Sequence, residues 1–588
     1  MLKECLEVFE YMLKEEGESL ILHSYVPADG TYILVGRDGS QKAVMDFCID
    51  KKTKKVDHSH PSFDEFCFYD YHSQLLSMNK PVDRKKIIHS NNYLSFFVKK
   101  DSLVSGKLTE EVIDEYYRTL ENPVNQKYKN SKEAAKIYEQ YEVEEGSVPG
   151  QKVEEKRRWI REHIFSLEGV NLDRKDYLKI FFEADNEEYE REGKRYFLPN
   201  IYNSNDYNIE IENMVYGLPD NNLGMNAKKP FLSIKSRKYP APYLLNGEQV
   251  LLQKKFFDYL MNLVSAGFYH VYVDTDRKKI TGCRTGEAPE KVESGYYLRL
   301  RKGKTEAEIP EQDNMSGYEQ ELKPPFEFRE FLSGRNEKYQ TRYGRYYKRP
   351  DVGNLISEVF FSNYLAGNYM TDAGDINVTD GILKQNLLLA RGAIFDWTYK
   401  GMDRGFGRLL ERISLSLLKG SLLNGYQERA LWQLNLRLSF KEYFSQEEGK
   451  NMSEIISGLR KSVEEKVYSD TLIPLENDRE YYYAVGQLAA YLISLNKAKE
   501  KNQSLLNPFL NAKTDEMIKK RLRQIYKRYN YRIPVHYKRV KNLLGMVEGY
   551  EPEGKTDQEM IILGYADNSM IYNNPDSAAA GAEASVRR

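Results

Sequence analysis

Cysteine is scarce in this chain. Its 588 residues include four, Cys5, Cys48, Cys67 and Cys283, and no two stand at CxxC spacing. That excludes a zinc ribbon and a small disulfide-stapled scaffold, and it fits a reducing cytoplasm. No run of 18 apolar residues exists, so no membrane span is expected. The N-terminus, Met1 to Phe9, is acidic and amphipathic, unlike a secretory signal. The motifs of the common nucleotide and hydrolase folds are missing as well. Ser105-Gly106-Lys107 lacks the upstream glycine of a phosphate loop, and no GxSxG, GxGxxG or HExxH is present. The three glycines of residues 401–407 stand in the wrong context for a nucleotide fold. Charge of one sign is lacking too: 87 basic residues face 88 acidic ones. A protein coated over its whole surface by nucleic acid would be basic overall, so contacts with a polyanion must come from local patches.

What is there is the composition of a folded protein, 41% hydrophobic and 30% charged, with 46 tyrosines against 25 phenylalanines. At roughly 150 residues per domain, the length gives a prior of about four domains. Residues 1–16 carry Leu2, Cys5, Leu6, Phe9, Met12 and Leu13 at helical spacing. Strands are predicted at 32–35, 43–47 and 93–98. Residues 109–120 form a helix with Thr109 as its N-cap and acids in its first turn. Residues 142–156 read as a charged linker broken by proline and glycine. Beyond the glycines at 401–407 the period becomes helical at 405–425, 453–468, 480–499, 514–530 and 535–548. The expected fold class is therefore α+β, with a mixed α/β N-terminal region followed by an all-α C-terminal helical bundle. The expected domains are 1–150, 151–400 and 401–575, with a disordered tail at 576–588.

Three constellations point to nucleic acid. Residues 221–232 hold Asn221, Asn222 and Asn226 beside Gly224, Lys228 and Lys229, and Lys235 and Arg237 continue the stretch with no acid. Carboxamides bind base edges bidentately, lysines neutralise phosphates, and glycine lets a backbone come close. Asn91 and Asn92 are a second amide pair. Residues 335–349 interleave six cations, among them Arg342, Arg345, Lys348 and Arg349, with four tyrosines against one acid. Tyr346 is the expected base-stacking platform there. Residues 498–541 hold 13 cations and three anions, a net of +10, with Lys519, Lys520, Arg523, Lys527 and Arg528 on one predicted helix. A fourth cluster, His58, His60, Asp64, Cys67, Asp70 and His72, has metal-ligand chemistry without metal-ligand spacing, and is expected to be a polar loop. No metal, cofactor or catalytic residue is expected.

The run GLPDNNLGMNAKKPFL (217–232) resembles the signature loop of the large subunit of type I-B CRISPR Cascade complexes, the b-type family of CRISPR-associated protein eight. Residues 89–123, 483–513 and 542–572 resemble other segments of that family in the same order. The paired CxxC of some relatives is absent. The resemblance implies a non-catalytic prokaryotic subunit with several partners: guide RNA, target double-stranded DNA, backbone and other Cascade subunits, and a separate helicase-nuclease. It implies recognition of the short motif beside the target (the PAM) and help in opening the duplex into an R-loop. In that family the C-terminal bundle can also be made separately as a small subunit, from an internal start. Met452, preceded by Glu-Glu-Gly at 447–449, is the candidate internal start. Two alternatives remain: a metal-dependent nuclease or phosphodiesterase using the His58/His60 cluster, and a stand-alone RNA-binding protein.

Overall fold

The strand Gly30–Val35 is buried at all six positions, and Tyr177–Phe182 at five of six. Near-continuous apolar runs of this kind belong in the middle of a sheet covered on both faces. The computed structural model puts them there. It describes residues 1–49, 57–167, 170–202, 207–220, 243–303, 307–334, 340–444, 451–496 and 505–572. Strand β1 (Gly30–Val35) pairs antiparallel with β2 (Gln41–Phe47) and parallel with β4 (Tyr177–Phe182), which pairs antiparallel with β3 (Ser95–Lys99). The order is β2-β1-β4-β3. Gly30 is required in β1, because a Cβ there would sit 2.5 Å from the Tyr177 carbonyl oxygen.

One charge lies inside this sheet. Lys179 of β4 meets Asp70 at 2.5 Å, with both side chains at most 4% exposed, and Tyr25 donates to the same carboxylate at 2.6 Å. The Lys179 ammonium also faces the rings of Phe97 (4.7 Å) and Tyr32 (5.1 Å). Helices α1 (Leu2–Glu16), α2 (Phe63–Ser73), α3 (Glu110–Glu121), α4 (Lys132–Glu145), α5 (Gly150–His163), α6 (Asn186–Phe197) and α7 (Gly247–Ser265) belong to the same unit. So does most of a second sheet, in which β5 (His270–Asp274) lies between β6 (Lys279–Cys283) and β7 (Lys291–Lys302), with β8 (Ala307–Glu319) outermost.

The chain divides into Met1–Thr285 with Val292–Ser316, and Gly286–Lys291 with Gly317–Arg588. The expected boundaries at 150 and 400 fall elsewhere. Residues 142–156 are not a linker but the end of α4 and the start of α5, separated by a turn at Gly146 with φ of 83°. The glycines at 401–407 only turn α9 (Gly381–Lys400) into α10 (Phe406–Leu423), Gly401 and Gly405 taking φ of 71° and 79°. The expected tail at 576–588 lies outside the described residues.

The second unit opens with the ribbon β9 (Glu321–Phe328) and β10 (Gly344–Lys348) and continues in helices. These are α8 (Arg349–Phe361), α9, α10, α11 (Gln427–Phe444), α12 (Met452–Tyr468), α13 (Asp478–Ser494), α14 (Asp515–Tyr529), α15 (Lys538–Gly549) and α16 (Gln558–Ala566). The expected fold class stands: α+β, with the C-terminal region helical. No helix among the described residues is long and apolar enough to cross a membrane.

Sequence explains four of the helix starts in the bundle. Asn451, Asn477, Thr514 and Asp557 cap α12, α13, α14 and α16 through their side-chain oxygens. Asp515 and Glu516 occupy the first turn of α14, and Lys527 and Arg528 its last, matching the helix dipole. At the centre, α13 and α16 cross through their glycines. A Cβ on Gly486 would run into the Ile561 carbonyl oxygen, and one on Gly564 into the Tyr483 carbonyl oxygen. Gly564→Ala should therefore destabilise the protein by about 3 kcal/mol, since backbone atoms cannot step aside as a side chain does. Gly458→Ala, in the exposed interior of α12 with nothing near the new methyl, should stabilise by roughly 0.5–1 kcal/mol. Urea unfolding followed by circular dichroism checks both.

Glu559, 6% exposed, binds Arg437 at 2.6 Å and Lys441 at 2.8 Å. Burial alone would raise its carboxyl, but the two cations hold it below its ordinary value of 4.5. The stability this brings is complete above that ordinary value and is lost as acid drives the pH below it. An acid titration of stability should be steeper for the native protein than for Glu559→Gln.

Candidate nucleic-acid interface

Asn221, Asn222, Asn226, Lys228, Lys229, Lys235 and Arg237 lie outside the described residues. The remaining expected contacts separate into those the fold uses internally and those it leaves to solvent.

Asn91 and Asn92 belong to the first class, and the expectation that they touch bases is corrected. Both are 2% exposed. The Asn91 amide donates to the carbonyls of His72 (3.0 Å) and Gln74 (2.7 Å). Asn92 donates to Ser73 Oγ and accepts from Leu94 N at 2.9 Å. They tie α2 to the entry of β3, with no donor left for a base. Arg349 is also internal. Its guanidinium binds Asp403 at 2.8 Å, donates to the Glu319 carbonyl at 3.2 Å and lies over Trp397. Lys519 is 8% exposed and bound to Asp515 (2.9 Å) and the Tyr550 carbonyl (2.5 Å). Arg523 forms a fork with both oxygens of Glu548, and Arg342 pairs with Glu358 at 3.3 Å, although both arginines are more than half exposed.

Tyr346 needs a different correction. Strand β10 alternates, so Tyr346 and Lys348 share one face while Arg345 and Tyr347 share the other. Tyr346 is half-buried beside Phe326 and donates its hydroxyl to the Arg342 carbonyl at 2.7 Å. It is Tyr347, 53% exposed, that offers a free ring next to the exposed Arg345. Glu327, opposite Arg345 across the ribbon, is taken by Arg329 at 2.6 Å. The signal for Tyr347 was present in the sequence as the two-residue period of Gly344–Lys348.

On α14 the apolar positions Ile518, Leu522, Ile525 and Tyr529 are buried on one stripe. The opposite side carries Lys520, Lys527 and Arg528, all exposed, and none is in an ion pair among the described residues. Lys520 and Lys527 are two turns apart and so share a face. Just beyond the helix stands Tyr531, 72% exposed, which sequence inspection passed over. The rest of the basic segment is partly engaged: Lys538 pairs with Asp470 at 2.5 Å, and Arg532 donates to the Leu495 carbonyl at 2.5 Å.

The histidine cluster does not assemble. His60 contacts the Val44 carbonyl at 3.1 Å through one ring nitrogen and accepts from Ser62 N at 3.1 Å through the other. His58 lies against Phe63, and Asp70 is committed to Lys179. His72 turns instead to Glu18 at 2.9 Å.

No protein-family model, curated protein or solved structure matches this chain.

Each free cation that contacts a phosphate should add about 0.7 to the slope of log affinity against log salt for a single strand. Lys520→Gln, Lys527→Gln and Arg528→Gln should each flatten that slope for polynucleotide with unfolding unchanged. Arg349→Ala and Lys519→Ala should instead lower stability. Salt-dependent fluorescence anisotropy and urea unfolding measure the two effects separately.

Proposed function

We propose that this chain is a non-catalytic, nucleic-acid-gripping subunit, and specifically the large subunit of a type I-B Cascade-like, RNA-guided surveillance complex. The observation that carries the first part is the solvent face of α14. There Lys520, Lys527 and Arg528 are exposed and in no ion pair among the described residues, in a protein with almost no net charge, with Tyr531 beyond them. Cations beside exposed rings suit a polyanion with bases to stack. The ribbon offers the same combination in Arg345 and Tyr347. The second part rests on the resemblance of residues 89–123, 217–232, 483–513 and 542–572 to that family.

In this reading guide pairing does most of the sequence recognition. The chain supplies a few base-edge contacts at the motif beside the target, and cationic tracks for the backbones. Its partners are guide RNA, target duplex, the other Cascade subunits and a separate helicase-nuclease in a prokaryotic cytoplasm. A second product starting at Met452 fits the same reading, since Met452 is the first residue of α12, although that product would lack the cap Asn451. Nuclease chemistry at His58 and His60 is disfavoured because both His60 nitrogens are already engaged.

The test is duplex binding by the assembled complex with the flanking motif varied. Asn222→Ala and Asn226→Ala should each lose about 1–3 kcal/mol of discrimination between flanking sequences. Lys527→Gln should weaken every sequence alike. Purification without guide RNA or a backbone-forming subunit would overturn the Cascade assignment, and metal-dependent cleavage by the isolated chain would overturn the non-catalytic one.

A further inference from the structure

One group of side chains in the first unit has no part in gripping nucleic acid. Glu18 follows α1, His72 stands in the last turn of α2, and Glu190 lies in α6. These three places are remote in sequence. The fold brings one ligand atom of each within 4.8 Å of the other two. Two features separate this from an ordinary surface ion pair. His72 is 7% exposed, so its imidazole is fixed in place, packed against the ring of Phe68 at 4.6 Å. Glu190, half-buried beside it, has no hydrogen bond or ion pair among the described residues. Glu18 divides its two oxygens, one to His72 at 2.9 Å and the other to Lys255 at 2.6 Å. The group thus holds two carboxylates and one imidazole, with the Lys255 ammonium on Glu18.

Glu18 and His72 also line a cavity of about 440 Å³, whose other walls include Tyr71, Phe197, Leu251 and Lys254. A metal held by three protein ligands needs an open position for water or a small ligand, and this cavity provides the space. Imidazole with two carboxylates is a donor set for zinc-class transition ions. Magnesium and calcium take oxygen ligands and have no use for the imidazole.

We propose that Glu18, His72 and Glu190 form a binding site for a divalent transition metal of the zinc class. The ion occupies the space between the His72 ring nitrogen and the carboxylates of Glu18 and Glu190, replacing the His72–Glu18 contact, and ties the segment after α1 to α2 and α6. Lys255 competes with it for Glu18. The proposal is independent of the Cascade assignment, because it concerns only metal and the isolated chain.

The experiment is isothermal titration of the full chain, freed of metal by chelator, with Zn²⁺ alone and with Mg²⁺ alone, alongside thermal unfolding in each. One Zn²⁺ per chain should bind and raise the unfolding midpoint, and Mg²⁺ at equal concentration should do neither. Glu190→Gln, whose carboxylate supports nothing else among the described residues, should weaken Zn²⁺ at least tenfold with unchanged metal-free stability. His72→Ala should abolish binding. Lys255→Met should tighten it severalfold, a gain that a purely structural Glu18–Lys255 bridge would not give. No stoichiometric Zn²⁺ binding, or equal affinity in the native protein and Glu190→Gln, overturns the site.

Discussion

A charge taken out of water has to be matched, at a cost of several kcal/mol where it is not, and that requirement organises this protein. Each unit buries ions and each meets the requirement in the same way. Lys179 holds Asp70 in the first sheet, and Arg195 holds Glu192 at 3.0 Å in α6. In the bundle Lys466 holds Glu480 at 2.7 Å, and Arg437 with Lys441 holds Glu559. Removing either member of such a pair leaves an uncompensated buried charge, which is more damaging than the pair itself is stabilising. Ion pairing also claims cations that look free in the sequence, Arg342, Arg349, Lys519 and Arg523 among them. The positions of the cations left exposed among the described residues are informative for that reason.

The crossing of α13 and α16 shows a second constraint. Its close approach depends on backbone against backbone, with Gly486 and Gly564 each facing a carbonyl oxygen of the other helix. No hydrophobic pattern encodes such a contact. Helix period marks where a helix lies, and α13 is buried from Glu480 to Ala489. It does not mark how close two stripes come. Side chains such as Tyr481 and Leu488 set the hydrophobicity of the helix, whereas a missing Cβ sets the interaxial distance.

The fold was more legible than the site for related reasons. Helices with caps and a clean period were found nearly to the residue: 109–120 became Glu110–Glu121 behind Thr109, and 514–530 became Asp515–Tyr529 behind Thr514. Residues 142–156 misled because a proline and two glycines look like a linker, yet they only turn one helix into the next. At the site, chemistry was visible and commitment was not. Asn91 and Asn92 have the right functional group for a base edge, but whether an amide is free depends on carbonyls at 72 and 74 that only the folded chain brings near. Lys519 and Lys520 are adjacent and chemically identical. One full helical step separates a lysine clamped to Asp515 and Tyr550 from a lysine in solvent.

This sorting also bears on why a neutral protein would suit the gripping role proposed above. A uniformly basic surface would hold any nucleic acid anywhere, and its affinity would come almost entirely from counterion release, without register. A near-even balance with Arg345 and Tyr347 on one ribbon face, and Lys520, Lys527 and Arg528 on one helix with Tyr531 just beyond it, leaves short cationic tracks among the described residues. A strand held on such tracks is fixed in direction and position by backbone contacts that carry no sequence information. Discrimination then falls to whatever reads base edges elsewhere, by pairing or by amides. Internal ion pairing is what makes the tracks short: had Arg349, Lys519 and Arg523 been free, the cationic surface would have been broad, and position would have been lost along with it.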